Sequence, residues 1–333
     1  APRGSPNRPK TMQTAGRTEE HPAGGDLDPS DGFPEQGEGI RVSRRQFIRG
    51  AAVLSALAAA GGGWWGMTRH LALERVAVPL RGLQAPLRIA MVTDTHLRSG
   101  GALQPFTNER MVSEALSMAA DEQPDLFLFG GDLTSETFGG GIGSARRMID
   151  LMAGIGPPLG SYACLGNHDM TAQSGDGILA HYASSSVRLL KDEWVVLDTS
   201  AGPLSLGGLG YCGSGYEDAA PLRETNSPRP RILLAHDPTC VLYLDDLDRI
   251  DLIVCGHTHG GQVHLPFVGA PWTPSPAYPT YYRGLKALTP RSYIYVSRGV
   301  GTVFVPLRVG SRPEVTVFDL SPLPESGEER ESI

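Results

Sequence analysis

An α/β domain is the fold class this sequence predicts, on three observations. Apolar runs of strand length, Leu87–Thr93, Asp125–Phe129 and Leu159–Leu165, alternate with amphipathic helical stretches, the signature of parallel strands covered on both faces. Each run ends in a glycine or a polar cluster rather than in a simple turn. Those clusters collect Asp, Asn and His, so ligand-type side chains gather at strand carboxyl ends, where open α/β sheets build their sites.

From the amino end, residues 1–40 are rich in Pro, Gly, Glu and Asp with almost no aliphatic side chains. Such a composition cannot offset the entropy of ordering, and a disordered tail is expected. Over 41–70, Ser43-Arg44-Arg45-Gln46-Phe47-Ile48-Arg49 precedes Gly50 and the acid-free apolar run Ala51–Met67. The arginine pair, the phenylalanine two positions on and the Ala/Gly-rich run resemble a twin-arginine export signal, which would make the twin-arginine translocase a partner. Ala58-Ala59-Ala60 offers a cleavage site. The run also approaches the ~18–20 apolar residues that span a bilayer, so an uncleaved anchor with Arg44, Arg45 and Arg49 on the cytoplasmic side stays open. The expected location is extracytoplasmic or periplasmic, free or tethered to the membrane.

The folded domain is expected over 74–321. Val76–Leu80 and Leu87–Thr93 read as strands, the second central because it is apolar on both faces. Asn108–Asp121 reads as a helix with Met111, Ala115, Leu116 and Ala119 on one stripe, stopped by Pro124. Strand Asp125–Phe129, helix Ala145–Ala153 and strand Leu159–Leu165 follow. The second half is strand-rich: Val187–Leu190, Trp194–Leu197, Leu204–Tyr211, Arg231–Ala235, Leu252–Val254, Val263–Leu265, Tyr293–Val296 and Val315–Leu320. Between Pro266 and Lys286 the chain carries five prolines with Trp272, Tyr278, Tyr281 and Tyr282. So aromatic a loop is expected to be ordered, either packing on itself or lining an apolar groove. Residues 322–333 are charged and expected to fray.

Composition narrows the chemistry. A net charge of −7 and no basic stripe argue against a nucleic-acid partner. An acidic protein that handles phosphates needs cations to offset its charge. The four cysteines, Cys164, Cys212, Cys240 and Cys255, contain no C-x-x-C, and Cys164 and Cys255 read as small buried side chains. Whether Cys212 and Cys240 pair cannot be read from spacing.

The strand-end clusters are Asp94-Thr95-His96, Gly131-Asp132, Gly166-Asn167-His168-Asp169, His236, and Gly256-His257-Thr258-His259-Gly260-Gly261-Gln262. An H-x-H pair alone is compatible with a surface loop; five clusters in series are not so easily dismissed. In an extended segment His257 and His259 point to one side. Together Asp94, His96, Asp132, Asn167, His236, His257 and His259 offer two carboxylates, an amide oxygen and four imidazoles, enough for two metal ions sharing a carboxylate. Oxygen and nitrogen donors without thiolate suit Mn, Fe or Zn.

In this order D-x-H, G-D, G-N-H-D, a lone H and G-H-x-H resemble the calcineurin-like metallophosphoesterase superfamily, over roughly Arg75 to Leu320. The resemblance implies a four-layer sandwich of two mixed β-sheets flanked by helices. It implies one ion on Asp94, His96 and His259, another on Asn167, His236 and His257, and Asp132 between them. It further implies that bound ions would activate a water for attack on phosphorus, with no protein nucleophile required. His168 matches the histidine that contacts phosphate or protonates the leaving oxygen, with Asp169 expected to orient it. Arg298 in Ser297-Arg298-Gly299-Val300-Gly301 is a candidate phosphate contact, with bracing of its own loop as the other reading. His264 stands where relatives often have arginine and is a second substrate-contact candidate. The G-H-T-H-G-G-Q-V run and A-H-D-P resemble the bacterial YkuE/YaeI-like branch. The expected activity is hydrolysis of a phosphodiester or pyrophosphate, with a small phosphoester or a phospholipid as substrate and a membrane surface as a candidate partner. UDP-diacylglucosamine cleavage is linked to that branch. A nucleotide or cyclic-nucleotide phosphodiesterase and a non-catalytic metal-binding envelope protein remain alternatives.

Overall fold

The computed structural model describes residues 70–99, 106–135, 140–170, 175–210, 227–244 and 246–323. The chain divides into two units, Ala1–Arg41 and Val42–Ile333, and the described residues all belong to the second. The predicted tail, the export signal up to residue 69 and the C-terminal fray from residue 324 lie outside the described residues, as does Cys212, whereas Pro322, expected in the fray, ends a strand. Among the described residues no helix is long and apolar enough to cross a membrane.

Two mixed sheets carry the site. The first orders β1 (Ala72–Leu80), β12 (Glu314–Pro322), β2 (Leu87–Val92), β3 (Leu126–Phe129), β4 (Ser161–Ala163) and β5 (Val187–Leu189). Strands β2 to β5 run parallel, β12 opposes β2, and β1 runs with β12. The second sheet orders β10 (Gly284–Thr289), β11 (Ser292–Val296), β9 (Leu252–Cys255), β8 (Arg231–Leu234), β7 (Gly202–Gly208) and β6 (Glu193–Thr199). Its strands β11, β9, β8 and β7 are parallel, with antiparallel β10 and β6 at the edges.

Strand alternation divides the apolar side chains between layers. Ile89, Met91, Leu126 and Leu128 from one sheet meet Leu204, Leu206, Ile232, Leu234, Leu252 and Val254 from the other in a buried central core. The opposite face of the first sheet, with Ala90, Val92, Phe127 and Phe129, is covered by helices α1 (Glu109–Asp121), α2 (Ile142–Ala153) and α3 (Gly175–Ala183) through Met111, Val112, Met148, Ile149 and Ile178. The outer face of the second sheet, with Leu233, Ile253 and Ile294, packs against Cys240, Val241 and Ile250 beside the 3-10 turn Pro238–Leu242. The predicted fold class is thus the observed one.

Local details follow from side-chain chemistry. The helix read from Asn108 starts there because the Asn108 side chain accepts the Met111 amide at 3.1 Å, an N-cap. Among the described residues, one α-helix and one strand escaped sequence reading. Helix α3 has two glycines in its first turn, which lowers propensity; burial of Ile178 and Tyr182 sustains it. Edge strand β10 has exposed Leu285, Lys286 and Ala287 in succession, so it lacks the alternation that marks a half-buried strand. Conversely, Val263–Leu265 forms no strand: it makes isolated bridges, Val263 to Val309 and Leu265 to Gly269.

Candidate metal centre

The carboxyl ends of β2, β3, β4, β8 and β9 converge, and the loops leaving them are bonded together. The amide of Asp94 donates to Gly131 O at 2.9 Å and that of His96 to Asp132 O at 3.1 Å. The His257 amide donates to the Asp94 carboxylate at 3.0 Å, and the His168 amide to Asp132 Oδ1 at 2.8 Å. These loops touch without room for side chains: a Cβ at Gly256 would lie 2.2 Å from Asp94 Oδ2, and one at Gly166 2.2 Å from Asp132 Oδ1. Glycine is therefore required at both places.

Five predicted site residues hold left-handed backbone: Asp94 (φ 52°), His96 (43°), Asp132 (59°), His257 (67°) and His259 (52°). Each costs on the order of 1 kcal/mol for a residue with a Cβ. The strain turns every one of these side chains into one small volume.

The distances within it are short. Asp132 Oδ2 lies 3.3 Å from His236 Nε2 and 3.5 Å from His96 Nε2. His96 Nε2 is 3.1 Å from His259 Nε2, which is 3.6 Å from Asp94 Oδ1. On the other side His236 Nε2 is 3.2 Å from Asn167 Oδ1 and 3.2 Å from His257 Nδ1. Ligand-type atoms fall into three overlapping groups within 4.8 Å: Asp94, His96, His259; His96, Asp132, His168; and Asp132, His236, His257. All seven residues expected to act together are brought together, and the His168 ring stands edge-on to His96 at 5.0 Å.

Charges in this pocket are unevenly held. Burial opposes ionisation of Asp132, yet His236, then His168, outweigh it and keep the carboxyl well below its usual range. Burial likewise works against a proton on His236, but Asp132, then Asp94, hold it up at about 10. Burial drives His96 and His259 well down and His257 to about 4. Burial, reinforced by Asp132, raises Asp94 to about 6. Imidazole nitrogens and carboxylate oxygens thus face one another across 3.1 to 3.6 Å in one buried volume. This donor set fits divalent cations of the oxygen- and nitrogen-preferring kind. Cys164 and Cys255 add no thiolate, since burial pushes both thiols well up; they and Cys240 are buried and unbridged.

Outer contacts orient the rings, and three of them were not foreseen from sequence. His236 Nδ1 lies 2.7 Å from the Gly130 carbonyl, which takes its proton and leaves Nε2 for the site. Asp237 Oδ2 stands 3.6 Å from His257 Nε2, so a carboxylate backs a ring whose Nδ1 faces inward. The signal was present as the acid beside His236 in A-H-D-P. Arg308, fully buried, donates to the carbonyls of Arg298, Gly299, Gly301 and Ser311 and sits 3.2 Å from His259 Nδ1. Nothing local in the sequence singles it out.

Three expectations need correction or relocation. Asp169 does not orient His168: its carboxylate accepts the amides of Asp132 (2.9 Å), Leu133 (2.9 Å) and Gly166 (2.8 Å). It pins the two loops that present Asp132 and Asn167. Burial, then Asp132, nonetheless raises it to about 7 against those amides. Arg298 is not poised for phosphate, because its guanidinium pairs with Glu314 at 2.7 Å and with Glu74. It braces the loop. His264 lies outside the cluster, half-buried and stacked on Tyr282 with centroids 6.3 Å apart.

Two mixed sheets presenting a buried Asp, Asn and His constellation at their carboxyl edge define a metal-dependent hydrolase. The family model for the calcineurin-like phosphoesterases matches residues 87–261. The chain is similar to Phosphodiesterase YaeI of Escherichia coli (strain K12), with 31% identity over 84% of this chain and 99% of that protein. An uncharacterised metallophosphoesterase of Bacillus subtilis (strain 168), YkuE, is 29% identical over 84% of this chain and 98% of its own length. One from Helicobacter pylori (strain ATCC 700392 / 26695) is 28% identical over 85% and 72% respectively. The chain belongs to the calcineurin-like phosphoesterase family and is a phosphoester hydrolase that depends on metal.

Proposed function

We propose that this chain is an exported phosphodiesterase or pyrophosphatase working with two divalent cations. The supporting observation is the position of Asp132 Oδ2, with His236 Nε2 at 3.3 Å and His96 Nε2 at 3.5 Å on its two sides. In this reading Asp94, His96 and His259 hold one cation, Asn167, His236 and His257 the other, and Asp132 is common to both. Mn, Fe or Zn suits the donors. When bound, the cations supply Lewis acidity toward the phosphoryl oxygens and lower the pKa of water toward neutrality.

The chain's own residues do the rest. Asp132 stays ionised because His236 and His168 stabilise its charge. The His168 amide donates to that carboxylate and Asp169 accepts the Asp132 backbone amide, so the carboxylate is held in place and need not reorganise as charge builds on the phosphoryl oxygens. His168, the less buried histidine of the group, gives its proton to the leaving oxygen. A phosphodiesterase name on the Escherichia coli relative favours a diester over a monoester. Hydrolysis of bis-p-nitrophenyl phosphate with added Mn²⁺ tests the reading: wild type turns over, and Asp132→Ala and His168→Ala do not. Equal inertness of all three across metals would remove it. Export by the twin-arginine route is tested with Arg44→Lys/Arg45→Lys, which should retain the protein in the cytoplasm.

A further inference from the structure

The rim of the metal centre carries three features that hydrolysis does not use. The first is Phe267, fully exposed at 109% with Val268 beside it at 62%. They form the tip of a loop closed by reciprocal backbone bonds between Leu265 and Gly269, both 2.9 Å. Phe267 is also held at φ 64°. A bulky side chain in the left-handed region is strained, and an aromatic ring in water forgoes its burial. Neither cost serves a surface that only meets solvent.

The second feature is the absence of charge. From Gly260 to Tyr282, and again from Gly299 to Leu307, the sequence has no Asp, Glu, Lys or Arg, although the protein is acidic overall at −7. Trp272 and Phe304 join the two segments edge to face at 6.4 Å, and both line a small cleft against His259. Gln262 ties the segments together through Val303 and Val305. The segment that leads from His259 to the Phe267 tip and on to Tyr282 therefore carries no charged side chain of its own, and Arg283 stands at its end beside His264.

The third is topological. Strand β2 points toward the site, β12 opposes it, and β1 follows β12, so β1 begins on the edge that carries the metal centre. Ala72 pairs with Glu314, whose amide bonds Gly299 O in the loop beside Asp94. In the sequence only Thr68 to Leu71 separate β1 from the charge-free run Ala51–Met67. His70 and Leu71, which follow that run closely in the sequence, therefore lead into β1 on the site's own edge.

We propose that this rim docks on a lipid surface with Phe267 and Val268 inserted, and that the substrate is a phosphodiester at the head-group level of a membrane lipid. The substrate half rests on the phosphodiesterase reading above. Water adds to phosphorus, the bond to one alcohol oxygen breaks, and that alcohol leaves with a proton, so no further reactant is needed. A lipid surface fits better than a protein partner because Phe267 and Val268 expose apolar side chains and the segment that carries them has no charged residue for a specific ion pair. Arg283 at its end beside His264 suits anionic head groups, and an apolar run of nearly bilayer-spanning length precedes β1 in the sequence.

The test uses the full chain with Mn²⁺ and vesicles of phosphatidylethanolamine and phosphatidylglycerol. Phe267→Trp should show, relative to wild type, emission that shifts to the blue with vesicles and is quenched by brominated acyl chains. Phe267→Ser/Val268→Ser should hydrolyse vesicle phosphodiesters at least about tenfold more slowly, as loss of one buried aromatic predicts, while bis-p-nitrophenyl phosphate turnover is unchanged. No vesicle-dependent emission difference, or equal vesicle-lipid rates in the two proteins, overturns docking. So does a dimer that the double substitution dissociates without vesicles, because the rim is then a contact between copies. Docking with turnover of the soluble diester but of no vesicle lipid overturns the substrate class alone. If wild type turns over neither, the phosphodiesterase reading fails while the emission experiment still decides docking.

Discussion

Replacing Asp237 by asparagine should weaken metal binding without unfolding the loop that carries it. One oxygen, Oδ1, accepts from the Thr239 amide at 2.8 Å, the Thr239 hydroxyl at 2.7 Å and the Ser275 hydroxyl at 2.8 Å. A backbone amide can only donate, so an asparagine must keep its carbonyl oxygen there. Its NH₂ then takes the place of Oδ2, 3.6 Å from His257 Nε2. An N–H aimed at Nε2 favours the tautomer with its proton on Nδ1, the nitrogen that faces His236 at 3.2 Å. The inward lone pair is lost. Outer partners of this kind are worth ~10–100-fold in metal affinity, which is ~1.4–2.7 kcal/mol. Mn²⁺ titration by calorimetry reads the affinity, and thermal unfolding in chelator reads the fold. The melting temperature of Asp237→Asn should stay close to wild type, whereas Asp237→Ala, which strands three buried donors, should lose ~1–3 kcal/mol per unmet group. Wild-type Mn²⁺ affinity in Asp237→Asn would refute the orienting role.

Further outcomes follow from the same contacts. His168→Asn should lower kcat by ~10²–10⁴-fold with bound metal unchanged by elemental analysis; loss of metal instead would make His168 a ligand rather than an acid. Arg298→Ala should cost stability, ~3 kcal/mol by chemical denaturation, because it leaves Glu314, 2% exposed, without its cation; the KM for a soluble diester should hold, and a large rise would return Arg298 to the phosphate. His236, held up at about 10 by Asp132 and Asp94 against burial, carries a proton at neutral pH in the metal-free protein. Its contribution to the stability of that form is full below an ordinary imidazole value of ~6.5 and is lost as pH rises through about 10. Cation binding must displace the proton, so Mn²⁺ affinity should rise about tenfold per pH unit between pH 7 and 9; a flat profile contradicts a protonated His236.

Much of this was legible from the chain alone. Buried strands are apolar on both faces, so Leu87–Val92, Leu126–Phe129 and Leu252–Cys255 announce themselves, and a ligand-type residue after each marks the sheet edge. Asp94, His96, Asp132, Asn167, His236, His257 and His259 were legible for that reason. The roles of Asp169, Arg298, Asp237 and Arg308 were not. A carboxylate beside a histidine in sequence can turn toward that ring or toward a neighbouring loop, and only the fold shows that Asp169 takes backbone amides while Asp237 reaches a histidine twenty residues away in the chain. Arg298 reads as a phosphate contact until β1 and β12 bring Glu74 and Glu314 to it. Local pattern, set by periodicity and turn chemistry, is written residue by residue and determined the elements and the ligand types. Orientation, pairing and strain, including five left-handed residues in the site, depend on partners distant in the chain, and these the tertiary structure alone decided.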